Sequence, residues 1–110
     1  MDTRVPLRVI TLSDEVEECI RKNIVKTNEE TRLELNGILT AKLMEQITKS
    51  EEWCLSHGFK NIPIICRPDI RLYFRRFIEK KFFWIQVISY MEITPDYKLD
   101  VVSTISFNEI

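Results

Sequence analysis

Residues 62–89, IPIICRPDIRLYFRRFIEKKFFWIQVIS, decide the fold. The opening IPIIC is short, apolar and β-branched, the signature of a central strand buried on both faces. Arg67-Pro68-Asp69 follows, and Pro68 suits the first position of a helix because its missing N–H has no partner there. Ile70, Tyr73, Phe74, Phe77 and Ile78 then repeat at i, i+3, i+4, i+7 and i+8, so they predict an amphipathic helix with one apolar stripe. FFWIQVIS at 82–89 reads as a second buried strand. A strand, a crossover helix and a strand imply parallel pairing, which places the chain in the α/β class.

The flanking sequence extends the same alternation. Toward the N-terminus, RVPLRVIT at 4–11 alternates Val5, Leu7 and Val9 with Arg4, Pro6 and Arg8. Pro6 lacks a backbone donor, which sets this strand at an edge or keeps its first half out of the ladder. Ser13 is a candidate N-cap, with Asp14, Glu15 and Glu17 at the positive end of a helix carrying Val16, Cys19, Ile20 and Ile24 on one stripe. That helix is expected to fade near Lys26. TRLEL at 31–35 reads as a short strand, and a long helix follows Asn36-Gly37, its apolar side Leu39, Leu43, Met44, Ile47, Cys54 and Leu55. Gly58 is a suitable left-handed stop. Toward the C-terminus, Pro95-Asp96 marks a turn and KLDVVSTISF at 98–107 a third buried strand. The expectation is a single small domain, with a mixed, mostly parallel sheet of four to five strands and three helices on one face or both.

Composition narrows the function classes. The chain has 110 residues, enough for one domain that buries a core without a metal or disulfide staple. Sixteen basic against seventeen acidic residues give a formal net charge of −1, no global drive toward nucleic acid or anionic membrane. No apolar run approaches the ~20 residues that span a bilayer. Cys19, Cys54 and Cys66 form no C-x-x-C pair and lie in apolar patterns, so reduced, buried thiols are expected. His57 is the only histidine, which leaves almost no material for a His/Cys metal site or a Ser-His-Asp triad. Glu51 and Glu52 are helix neighbours that do not face each other, and no carboxylate pair stands out as acid and base. No enzyme, metal or cofactor is expected.

Two features remain. Arg67, Arg71, Arg75, Arg76, Lys80 and Lys81 cluster opposite the apolar stripe of the 68–78 pattern, and Phe82-Phe83-Trp84 stand where helix gives way to strand. Guanidinium groups beside aromatic rings suit nucleic acid, which makes a small nucleic-acid-binding α/β domain the competing reading. The chain is acidic overall and lacks a glycine-rich phosphate loop, so a solvated helix face is preferred, with two of the three rings in the core and one at a protein interface.

From residue 62 onward the chain resembles the C-terminal subdomain of the FlhA/InvA/LcrD (FHIPEP) export-gate family of bacterial type III secretion. The resemblance rests on Pro68, Ile70, Arg71, Phe74, Arg75 and Arg76, then on Val87, Ile88, Ser89, Tyr90, Glu92, Ile93, Pro95 and Asp96. RVITLSDEVEECI near the N-terminus is similar to the strand–helix opening of the same subdomain. The spacing is nearer the virulence branch than the flagellar one. Arg67 stands where relatives carry a small capping residue, leaving the helix without a side-chain cap or with a cap from elsewhere. Phe83-Trp84-Ile85 replaces a Leu-Pro link.

The resemblance implies that residues 1–110 are the last subdomain of the cytoplasmic region of an inner-membrane protein. Its membrane contact would lie only in an N-terminal region outside this sequence, and the subdomain itself would be soluble. Its implied partners are the other subdomains of its own full-length chain, a homo-oligomeric ring, and the secretion chaperones, substrates and regulators that the ring receives. No nucleic acid is expected, and the family's best-known chaperone surface lies in other subdomains. The candidate partner-contact surface is Arg67, Arg71, Arg75, Arg76, Phe83 and Trp84.

Overall fold

A computed structural model describes residues 2–107. In chain order it forms β1 (Val5–Leu12), α1 (Asp14–Lys22), β2 (Ile24–Lys26), β3 (Thr31–Leu33), α2 (Gly37–Ser56), β4 (Ile64–Cys66), α3 (Pro68–Ile78), β5 (Val87–Ser89), a 3-10 turn (Tyr90–Glu92) and β6 (Tyr97–Ile105). Four strands make one parallel sheet in the order β5-β4-β1-β6, and β2 and β3 pair separately as an antiparallel hairpin. This is the expected α/β domain with three helices.

All three helices cover the same face of the sheet. Ile10, Leu12, Ile64, Cys66, Val87 and Ile105, which alternate inward along four strands, form one cluster with Val16 and Ile20 of α1, Leu43, Ile47 and Cys54 of α2, and Ile70, Phe74 and Ile78 of α3. Right-handed crossovers explain this, because β1 to β4 and β4 to β5 step in the same direction across the sheet. The return from β5 to β6 steps the opposite way, and the second face of the sheet carries none of the three helices. Val9 and Ile65, fully buried yet outside the helix-facing cluster, belong to that second face.

β1 is a central strand, not an edge. Val5 N–H donates to Asp96 O toward β6 and Ile10 N–H to Pro63 O toward β4, both at 2.9 Å. Alternation between them turns the position of Pro6's missing N–H toward β4, and β4 pairs only with Ile10 and Thr11. The first half of β1 therefore joins β6 alone, and Pro6 costs the sheet no hydrogen bond.

The strand expected to be buried at 98–107 is instead the edge strand β6, in which only Ile105 is buried, and three further local expectations need correction. Helix α1 stops at Lys22, not near Lys26. The Asn23 side-chain Nδ2–H donates to Cys19 O at 2.7 Å and closes the helix, which frees the β-branched Ile24-Val25 to pair with Arg32 and Leu33. Second, the strand expected at 82–89 covers only Val87–Ser89. Phe82 N–H donates to Ile78 O at 2.8 Å and Ile85 N–H to Phe82 O at 3.1 Å, so the chain turns through this region. Phe82 and Ile85 consequently point inward together, a three-residue period that a strand cannot produce. Third, Cys54 and Cys66 are buried as expected, but Cys19 is only partly so.

Candidate functional site

Helix α3 presents the basic row, and its start is held from another helix. Arg67 is its N-cap residue and supplies no side-chain cap. Instead Arg67 N–H donates to Glu17 Oε2 of α1 at 2.9 Å. This is the cap from elsewhere that the sequence left open. Glu17 is buried (6% exposed), and burial raises its carboxyl pKa above the ordinary range while the Arg67 N–H pulls it back. Fixing the N-cap fixes the direction of α3, and with it every arginine along the helix.

The arginines divide into engaged and open ones. Arg67 Nη2 contacts Asp69 Oδ2 at 2.6 Å and its Nη1 lies 3.5 Å from Glu18 Oε2. Arg71 Nε lies 3.3 Å from Glu92 Oε1. That same oxygen accepts the Ser89 N–H at 3.2 Å, closing the 3-10 turn onto the end of β5. Arg75 and Arg76 are exposed and make no ion pair among the described residues. A row half neutralised by its own carboxylates projects a weaker field than its sequence suggests, which tells against phosphate binding.

The aromatic corner differs from the expectation of two core rings and one interface ring. Only Phe82 is buried; Phe83 is 74% and Trp84 52% exposed. Their rings meet edge to face at 5.0 Å. Trp84 is anchored, because its Nε1–H donates to the Glu51 carboxylate of α2 at 2.9 and 3.0 Å. Exposed rings held in place bring apolar area to a partner at little entropic cost.

Four of the six candidate residues come together. Arg71, Arg75, Phe83 and Trp84 line one groove of about 320 Å³ along the outer edge of β5, with Val87 and Glu92. Arg76 faces a different groove, between α3 and the hairpin, beside Tyr73, Phe77 and Lys80. Arg67 sits at the far end of α3 and lines neither groove. Glu17, Glu51 and Glu92 position the site, and a further groove of about 350 Å³ lies where Ile47, Cys54, Phe59, Ile62 and Trp84 meet. The partners of Glu17 and Glu51 lie on other elements, so no local pattern marks them, whereas Glu92 stands three residues after Ser89 in a capping pattern and falls inside the resemblance.

No histidine among the described residues lines these grooves. Among the described residues no group of three His, Cys, Asp or Glu is placed to hold a metal ion. His57 stacks on Trp53 at 4.0 Å at the end of α2. The Cys66 thiol is pushed up to about 12 by burial and is a poor nucleophile. Among the described residues no helix is long and apolar enough to cross a membrane.

Comparison with known proteins gives a consistent result. Invasion protein InvA of Salmonella typhimurium is 34% identical over 100 residues, 90% of this chain and 14% of InvA. The crystal structure of the C-terminal domain of InvA superposes with a TM-score of 0.79 at 32% identity, covering 90% of this chain and 30% of that one. The nonameric SctV-C structure from EPEC shares the fold, with a TM-score of 0.79 at 23% identity over 91% of this chain and 29% of its own. The chain thus spans a small fraction of the relatives it matches. Residues 1–98 match the FHIPEP family, and the chain belongs to that family of type III secretion export proteins.

Proposed function

We propose that this chain is the C-terminal subdomain of the cytoplasmic region of a type III secretion export gate, and that it acts there as a protein-docking scaffold. In this reading the intact protein sits in the inner membrane, with this subdomain on the cytoplasmic side. The subdomain packs against the other subdomains of its own chain, and the assembled ring receives chaperones, export substrates and regulators. Family membership supports the setting, and the nonameric state of SctV-C supports the ring.

One observation carries the docking role. Phe83 and Trp84 are exposed on a well-packed domain, one of them anchored to Glu51, beside Arg75, which makes no ion pair among the described residues. Aromatic rings next to an open arginine are the residue types that dominate protein interfaces. The test is the double substitution F83S/W84S in the full-length gate protein, with cargo secretion measured in the culture medium. Secretion should fall about tenfold or more while the gate protein stays at its normal level in the membrane. Unchanged secretion would remove this corner from the docking role.

A further inference from the structure

Strand β5 is an edge of the parallel sheet, and its open side is nearly consumed by the chain itself. Ile64 N–H donates to Gln86 O at 2.9 Å, so Gln86 and Ile88 face β4. Alternation turns the N–H and C=O of Val87 the other way, off the edge. On either side of Val87 the open-side donors are taken, Ile85 N–H by Phe82 O and Ser89 N–H by Glu92 Oε1. Among the described residues, Val87 N–H is the one donor that β5 offers outward.

The way Ser89 is satisfied indicates what would suit Val87. At Ser89 a carboxylate oxygen bridges a β5 N–H at 3.2 Å and the guanidinium Nε of Arg71 at 3.3 Å. Helix α3 crosses back over β5 in the opposite direction. One step of four residues along a helix is about 6 Å, and two residues along a strand are about 6.6 Å. Moving from Arg71 to Arg75 therefore matches moving from Ser89 to Val87. Arg75 and Val87 N–H present the same two donors as Arg71 and Ser89 N–H, and all of these residues but Ser89 line the same groove.

We infer that the outer edge of β5 binds an extended segment of a partner protein through one acidic side chain, whose carboxylate bridges Arg75 and the Val87 N–H as Glu92 bridges Arg71 and the Ser89 N–H. Charge selects the occupant, because Arg75 has no acid of its own among the described residues and a carboxylate is the acceptor that this edge already uses. Phe83 and Trp84 at the lower end of the groove favour an apolar neighbour to that acid. With only one edge residue open, the contact is a single anchoring point, not a whole added strand. The inference rests on the docking reading only in taking this face to be one that meets other proteins.

The test uses the 110-residue chain, ¹⁵N-labelled, with two blocked peptides, acetyl-Leu-Val-Glu-Val-Leu-amide and its Gln counterpart. The Glu peptide should shift the Val87 amide resonance with a Kd near 1 mM, about tenfold tighter than the Gln peptide. R75Q, at an exposed position, should keep its melting curve and lose that preference. Equal binding of the two peptides, shifts that cluster away from β5, no binding at about 10 mM, or a preference that survives R75Q would each overturn the inference. Secretion that still depends on Phe83 and Trp84 would then leave the docking role standing without this anchor.

Discussion

Glu17 caps a helix that is not its own, and its burial makes the consequence measurable. Replacing it with Ala removes the acceptor of the Arg67 N–H and leaves the start of α3 uncapped. Loss of an N-terminal cap to a backbone donor costs about 1–2 kcal/mol. Replacing it with Gln keeps an oxygen acceptor and removes the charge. The two variants separate through pH. Burial raises the Glu17 pKa above its ordinary value of 4.5, so the fold favours the protonated side chain. A raised folded pKa gives stability that is complete below the unfolded pKa and lost as pH rises through the folded one. Glu17→Gln should therefore match the wild type within about 0.5 kcal/mol near pH 4, then become the more stable protein toward neutrality. Glu17→Ala should lose most near pH 4 and less near neutrality. Urea melts of all three proteins across that range read the differences directly. A Gln variant whose difference from wild type does not change with pH would refute the burial argument, and an Ala variant as stable as wild type would refute the cap.

Phe74 is fully buried under α3, so Phe74→Ala should cost about 3–5 kcal/mol in a denaturant melt, and a loss below about 1 kcal/mol would take it out of the core. Titration of the unfolded, unreduced chain should find all three cysteines as free thiols, and in the folded chain Cys66 should alkylate last, since it is buried with its pKa pushed up to about 12. Trp84→Phe keeps an aromatic ring but loses the indole hydrogen bond to Glu51, so the melt should move by under 1 kcal/mol; a larger loss would mean that the corner is structural. The isolated chain should melt cooperatively, yet calorimetric titration should detect no micromolar binding to a chaperone–substrate complex, because the resemblance puts that surface in other subdomains.

Helix α3 was legible because its burial follows its sequence period. Ile70, Phe74 and Ile78 are fully buried and Arg71, Arg75 and Arg76 point away, as a 3.6-residue repeat requires. The turn at 79–85 was not legible, since it contains neither glycine nor proline and its apolar residues imitate a strand. Nor was β2, a three-residue strand that exists only by pairing with β3. The candidate surface was half legible. Charge and aromaticity at 67–84 are local, so the residues could be named. Which of them share a groove depends on Glu17, Glu51 and Glu92, whose partnerships span up to fifty residues of chain.

The central claim is that the Phe83–Trp84 corner meets other components of a secretion gate. A photo-crosslinking amino acid placed at Phe83 of the full-length gate protein, in secreting cells, tests it most directly. Mass spectrometry should identify the adducts as another copy of the gate or as a chaperone, substrate or regulator of secretion, and the same probe at the buried Phe74 should give none. A position 83 probe that yields no protein adduct in secreting cells, or adducts only with proteins foreign to secretion, would contradict the account.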